Sequence, residues 1–191
     1  MTLEMGDPLM IGDHPAADFL NSVGAPYGRW TDWLETGQAL VAWMRAAGIL
    51  TAAEAEIARE LPEADLNRAA ETARLLREEL RAWVEGDADL PVDRINALLR
   101  PGDTRLTCQD GEWVMVRHHR VTTAQDLLAR IGDAVADLVV AGDPGRTRQC
   151  NGPTCTFWFR DLSRNNSRRW CSMTICGNRA KVRAHRSRNP R

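Results

Sequence analysis

Between residues 64 and 85 the apolar side chains fall at Leu66, Ala69, Ala73, Leu76, Leu80 and Trp83. Steps of three and four place them on one face, so the stretch predicts an amphipathic helix, closed by Gly86. Shorter patterns flank it. Residues 14–23 predict a short helix with Ala17, Phe19, Leu20 and Val23 inward, and residues 24–35, with Gly24, Pro26, Gly28 and two Trp, read as a loop. Thr36 is placed to cap a helix over 37–47, with Leu40, Val41, Trp43 and Met44 apolar and Gly48 at its end. Thr51 followed by Glu54 is a capping box for a helix over about 52–60, which Pro62 breaks. Pro91 opens a helix through Arg100 that buries Ile95, Leu98 and Leu99. The period then changes. Residues 104–109 and 112–117 flank Asp110-Gly111, the signature of a β-hairpin. Cys108 on the first strand reads as a small half-buried residue. Thr122 or Thr123 caps a helix to about Val140 with Leu127, Leu128, Ile131, Val135, Leu138 and Val139 apolar. The break at 141–145 marks a domain boundary, giving a unit over 1–144 and a second over 145–191.

The chain has 191 residues, 43% hydrophobic and 27% charged, which suits one medium and one small globular unit. No apolar run approaches the roughly 18 residues that a membrane span needs. Met1 to Asp13 carries acids and no basic n-region, so it does not read as a signal peptide, and the expected location is the cytoplasm. The net charge of −1 conceals a division. Residues 1–144 hold 13 basic and 25 acidic residues, a net of −12, whereas residues 145–191 hold 12 basic residues and one acid, Asp161, a net of +11. Such asymmetry points to nucleic-acid contact, or to attraction between the two parts.

Four of the five cysteines, Cys150, Cys155, Cys171 and Cys176, crowd into 27 residues. Two pairs of spacing C-x4-C, separated by a short span, suit tetrahedral zinc; two disulfides or unrelated thiols are the alternatives, and a reducing compartment favours the metal. His185 is a conceivable substitute ligand, read instead as a surface residue. Residues 156–160 are β-prone, Asn165-Asn166 is a candidate turn, and the chain after Cys176 has helical character. The resulting fold class is a mainly α N-terminal domain with one β-hairpin, followed by a small treble-clef-like zinc finger. A module of this size needs the metal to fold.

Arg169-Trp170-Cys171-Ser172-Met173, followed by Cys176-Gly177-Asn178-Arg179, resembles the signature of the CGNR zinc finger family. Cys150, Cys155, Phe157, Trp158, Phe159, Asp161, Ser163, Asn165 and Arg168 also match its pattern. The resemblance covers about residues 146–188. Residues 12–140 resemble, more loosely, the ABATE domain that precedes this finger, with Asp18-Phe19-Leu20-Asn21 at an Asp-Phe-x-Asn segment. The resemblance implies one structural Zn2+ held by Cys150, Cys155, Cys171 and Cys176, and a role in stress-induced transcription regulation.

Four thiolates close the zinc's coordination, so function passes to the surface around it. The candidate nucleic-acid contacts are Arg164, Arg168, Arg169, Arg179, Lys181, Arg183, Arg186 and Arg188, with Arg191 beyond them. On a helix, Arg179, Arg183 and Arg186 share one face, which suits phosphates and guanine edges. Asn178 is read as a brace of the knuckle, and Trp158 and Trp170 as buried rather than base-stacking. DNA is the expected partner, with RNA, a protein or a second copy as alternatives. Phe19, Asn21, Trp30, Trp33 and Trp43 are either core or the lining of a small-molecule effector pocket. No phosphate loop, nucleophile elbow or metal-ligand pair stands out in the first 144 residues. His118-His119 would point to opposite faces of a strand. The expectation is therefore a regulator, not an enzyme.

Overall fold

The computed structural model describes residues 6–25, 30–109, 112–141 and 143–188, with residues 103–109, 112–118, 144 and 188 described by their backbone alone. Pro26, Gly28, Asp110, Gly111, Gly142 and Arg191 lie outside the described residues, as do the side chains of Cys108, His118 and Arg188.

The helical body follows the periodicity closely. Helix α1 (Pro15–Leu20) starts at His14, whose Nδ1 accepts from the Ala16 amide at 3.1 Å. The stretch read as a loop contains a two-residue ribbon, β1 (Val23–Gly24) against β2 (Thr31–Asp32). Its backbone groups pair there instead of meeting water, a demand that hydrophobic periodicity does not register. Helix α2 (Gly37–Ala46) is capped by Thr36 and buries Leu40, Val41, Trp43 and Met44. Gly48, at φ 70°, then turns the chain in the left-handed region that glycine tolerates. The Thr51–Glu54 capping box opens α3 (Ala52–Arg59).

Helix α4 (Glu63–Glu85) is the central pillar, with Leu66, Ala69, Ala70, Ala73, Leu76 and Leu80 buried. Helix α2 meets it closely: a Cβ on Gly37 would lie 2.3 Å from the Leu66 Cβ. A short α5 (Val92–Leu98) leads to the antiparallel hairpin β3 (Asp103–Gln109) and β4 (Glu112–His118), in which Gln109 pairs with Glu112. Helix α6 (Ala124–Val140) begins where Asp126 accepts from the amides of Thr122 and Thr123. It packs Leu127, Leu128, Ile131 and Val135 against α1, α4 and α5.

One face of α4 is basic and turned inward. Arg77 is 3% exposed; it makes a bidentate pair with Asp32 at 2.8 Å and donates to Ser22 Oγ at 3.1 Å. Burial opposes ionisation of Asp32, but Arg77 outweighs it and holds the carboxyl below its usual range. Arg81 donates to the Leu20 carbonyl and Arg74 to the Leu34 carbonyl. These arginines satisfy the loose ends around α1 and β2.

The C-terminal part opens with β5 (Thr147–Gln149), which pairs with β6 (Trp158–Arg160). The β-prone segment thus finds its partner upstream, across the first cysteine pair, and not across Asn165-Asn166. Asn166 still turns the chain, at φ 47°. A wide helical turn over Met173–Gly177 runs into α7 (Asn178–Arg188).

Strand β6 belongs to both parts of the molecule. Phe157 and Phe159 pack among the cysteines, while Trp158 enters the core of the helical body. Asn21, one residue past α1, holds the strand at that point. Its Nδ2 donates to the Trp158 carbonyl at 2.8 Å, and its Oδ1 accepts from the Trp158 amide at 2.7 Å. The segment before α1 completes the joint. The Asp18 carboxylate accepts from the amides of Ile11 and Gly12, the Gly12 carbonyl accepts from the Arg160 amide at 2.7 Å, and Leu9 and Ile11 pack on the cysteine cluster.

Replacing Asn21 by Ala orphans a buried amide and a buried carbonyl. The expected loss is about 1–3 kcal/mol per orphaned group, read by denaturant unfolding; unchanged stability removes Asn21 as the clamp. Asp18 supplies a second test. Burial raises its pKa to about 6, against the pull of the Gly12 and Ile11 amides. An acid raised by folding binds more protons folded than unfolded, so its penalty is full above pH 6 and relieved as pH falls toward 4. Stability measured for the native chain minus that of Asp18→Asn is expected to decrease from pH 4 to pH 6 and then level off; a flat difference refutes this assignment.

Candidate metal centre

Each cysteine is delivered by a local device. The Cys150 amide donates to the Phe157 carbonyl, which extends the β5–β6 ladder to the first ligand. The chain then turns tightly enough for the Cys155 amide to reach the Gly152 carbonyl at 2.9 Å. Only glycine fits at 152, because a Cβ there would stand 2.8 Å from the Cys155 Cβ and 3.2 Å from the Cys176 sulfur. The second pair is set by Ser172. Its carbonyl accepts from the amides of Cys176 and Gly177, both at 3.0 Å, and its hydroxyl caps Ile175. The two knuckles are tied by the Asn151 amide donating to the Arg169 carbonyl and by the Cys171 amide donating to Cys150 Sγ at 3.2 Å.

All four Sγ atoms lie within 4.8 Å of one another. Cys155 Sγ is 3.7 Å from Cys171 Sγ, which is 3.6 Å from Cys176 Sγ. A tetrahedron of sulfurs about 2.3 Å from zinc has edges of about 3.8 Å, so the spacing fits that ion. The electrostatics agree. As bare thiols the cluster is unbalanced: hydrogen bonds from Cys155 and Cys171 hold Cys150 as a thiolate with its pKa pushed far down. The same bonds to Cys150 drive Cys155 and Cys171 upward. A divalent cation that binds thiolates removes that conflict. The donor set is four sulfurs, which leaves no coordination position for a substrate, so the zinc is structural. His185 lies exposed on α7, outside the sulfur cluster.

The single acid of the finger, Asp161, is fully buried. Burial opposes its charge, but the hydroxyl and amide of Ser163, the Arg168 amide and the Arg148 guanidinium outweigh it and hold the carboxyl at about 2. Reading by residue type passed over this anchor. Its signal was its isolation, one carboxylate among twelve cations in residues 145–191.

The predicted basic contacts divide into two groups. Arg168 is built into the joint: it pairs with Asp13, donates to the carbonyls of Trp170 and Ile11, and lies 4.3 Å over the Phe159 ring. Arg169 stacks on Trp170 at 5.3 Å. By contrast, Arg164, Arg179, Lys181, Arg183 and Arg186 are exposed and make no ion pair among the described residues. Helix α7 packs chiefly on the turn that precedes it. Asn178 braces that turn through the Thr174 carbonyl at 3.4 Å, and Trp158 is buried.

The aromatic cluster of the helical body is placed as follows. Phe19, Trp33 and Trp43 are at most 3% exposed, with the Phe19 and Trp43 rings 5.9 Å apart. Trp33 Nε1 donates to the Gly6 carbonyl, Asn21 holds Trp158, and Trp30 stands apart at 63% exposed.

Replacing any one cysteine by Ser, or treating the protein with a strong chelator, is expected to remove about one zinc per chain and unfold residues 145–188. Elemental analysis and proteolysis read the result; a chelated chain that keeps its protease resistance overturns the structural role.

Two family models match the chain. Residues 146–189 match the CGNR zinc finger. Residues 13–142 match ABATE, a family described as "Putative stress-induced transcription regulator". These are zinc-finger and regulator families, not enzyme families. No curated protein matches the chain. With most of its length inside the ABATE model and the finger directly after it, the chain belongs to the ABATE family and carries a CGNR zinc finger at its C-terminal end.

Proposed function

We propose that this protein is a DNA-binding transcriptional regulator whose contact helix is α7. The observation that carries the reading is the state of that helix. Its Arg179, Arg183 and Arg186 recur on one face, exposed, with no acidic partner among the described residues. The acidic body meets the finger elsewhere, through the backbone of β6 and through the Arg168–Asp13 pair. Attraction between the two oppositely charged parts therefore does not consume this face.

The shape favours duplex DNA over duplex RNA. A single helix with its side chains fits the B-form major groove, about 12 Å wide, but not the narrow major groove of A-form RNA. Val182, 51% exposed among the arginines, offers an apolar contact suited to a thymine methyl. Arg164 and Lys181 add phosphate contacts at the rim. The zinc centre fixes the root of the helix and does no chemistry. The helical body carries the finger and is the part through which a small effector or a second copy would act. The reading is non-enzymatic. No helix among the described residues is long and apolar enough to cross a membrane.

Gel shifts with mixed genomic DNA test the proposal. Retardation is expected at low salt and lost as salt rises. The combined Arg179→Ala, Arg183→Ala and Arg186→Ala variant is expected to reduce the slope of log affinity against log salt by about 2–3, at roughly 0.9 per phosphate contact. No retardation of the native, zinc-loaded chain at low salt refutes DNA binding.

A further inference from the structure

Three of the four zinc ligands, Cys155, Cys171 and Cys176, border an open cavity of about 750 Å³. Its other walls include Leu9 from the segment before α1, Ala25 just after β1 and Arg179 at the root of α7. Cys155 and Cys176 also border a second cavity of about 470 Å³, whose lining includes Asn151, Gly152 and Pro153 of the first knuckle. The four sulfurs are not equivalent. Cys150, Cys171 and Cys176 are buried, whereas Cys155 is half-buried. Cys150 accepts two backbone amides, from Gly152 and Cys171, which draw charge from its sulfur. Cys155 lies 3.7 Å from Cys171 across the cluster. Of the three cysteines that border the first cavity, Cys155 is the least buried.

We propose that Cys155 is a modification site for hydroperoxides, and that its oxidation closes a Cys155–Cys171 disulfide and expels the zinc. The Cys155 thiolate attacks one peroxide oxygen; the S–O bond forms, the O–O bond breaks, and the departing oxygen leaves as hydroxide or alkoxide and takes a proton from water. The Cys171 thiolate then attacks the sulfenic sulfur; the S–S bond forms and the S–O bond breaks, releasing a second hydroxide. Two thiolates lose two electrons in all, and the peroxide gains them. Zinc is left with Cys150 and Cys176, too few ligands to hold it. The disulfide replaces the metal as the tie between the two knuckles, but Cys176, in the turn that leads into α7, loses its metal anchor. Oxidant thereby reaches the proposed DNA-contact helix, although the chemistry itself rests only on the zinc centre.

The test uses the zinc-loaded full chain, with zinc counted beforehand so that the metal assignment is judged separately. One equivalent of hydrogen peroxide is added in the presence of a chromogenic zinc chelator, and the thiols are mapped by differential alkylation and mass spectrometry. The expected result is a Cys155–Cys171 disulfide with about one zinc released per disulfide formed. A first disulfide that excludes Cys155, or zinc released while all four cysteines stay reduced, overturns the proposal.

Discussion

The molecule is organised around a strand that serves two cores at once. Alternate side chains of a β-strand point to opposite faces. In β6 and the residue before it, that alternation sends Phe157 and Phe159 to the zinc cluster and Trp158 to the helices. A strand used this way has little freedom to slide, because a shift of one residue would exchange the two sets of side chains. Asn21 fixes the register by imitating a neighbouring strand with its side-chain amide. The metal centre, the Asp161 anchor and the direction of α7 all follow from where that strand is held. The Asp-Phe-x-Asn segment of the first part thus has a physical meaning. Asp18 secures residues 11–12, Phe19 fills the core beside Trp43, and Asn21 holds the finger.

Charge plays a different part from the one the two halves suggest. A net of −12 facing a net of +11 invites a picture of two bodies pulled together. The contacts are instead mainly apolar packing and hydrogen bonds that end on backbone groups, with one ion pair among the described residues, between Arg168 and Asp13. Exposed pairs contribute little in water. The cations that matter to the fold include Arg77, buried between α4 and β2, and the partly exposed Arg148 paired with the buried Asp161. Those on α7 remain in solvent, where their field extends roughly a Debye length of 8–10 Å.

The sequence makes the long elements legible because periodicity and end signals agree. Helix α4 has both an apolar stripe and Gly86; α2 and α3 have Thr36 and the Thr51–Glu54 box. The metal ligands are legible because two C-x4-C pairs within 27 residues suit one tetrahedral ion. What escapes is what depends on distant partners. The β1–β2 ribbon is two residues wide and has no period to detect. Strand β6 announces its β character but not its partner β5. Arg168 looks like its neighbours in sequence, and its pairing with Asp13, 155 residues earlier, and its place over the Phe159 ring separate it from the exposed arginines. Asn21 reads as easily as a pocket residue as a clamp, because an amide carries no label for what it binds.

The shared strand has a consequence for modularity. Zinc fingers are commonly treated as cassettes that can be cut out and joined to another body. Here a cut between residues 144 and 145 would leave Trp158 without a core to enter and strip the finger of Leu9, Ile11 and Gly12. A transplanted finger would have to carry its own tryptophan socket and an amide to grip it. Exchange between relatives is therefore constrained to pairs that preserve the joint, so body and finger are expected to change together and α7 to keep one fixed bearing relative to the helices behind it.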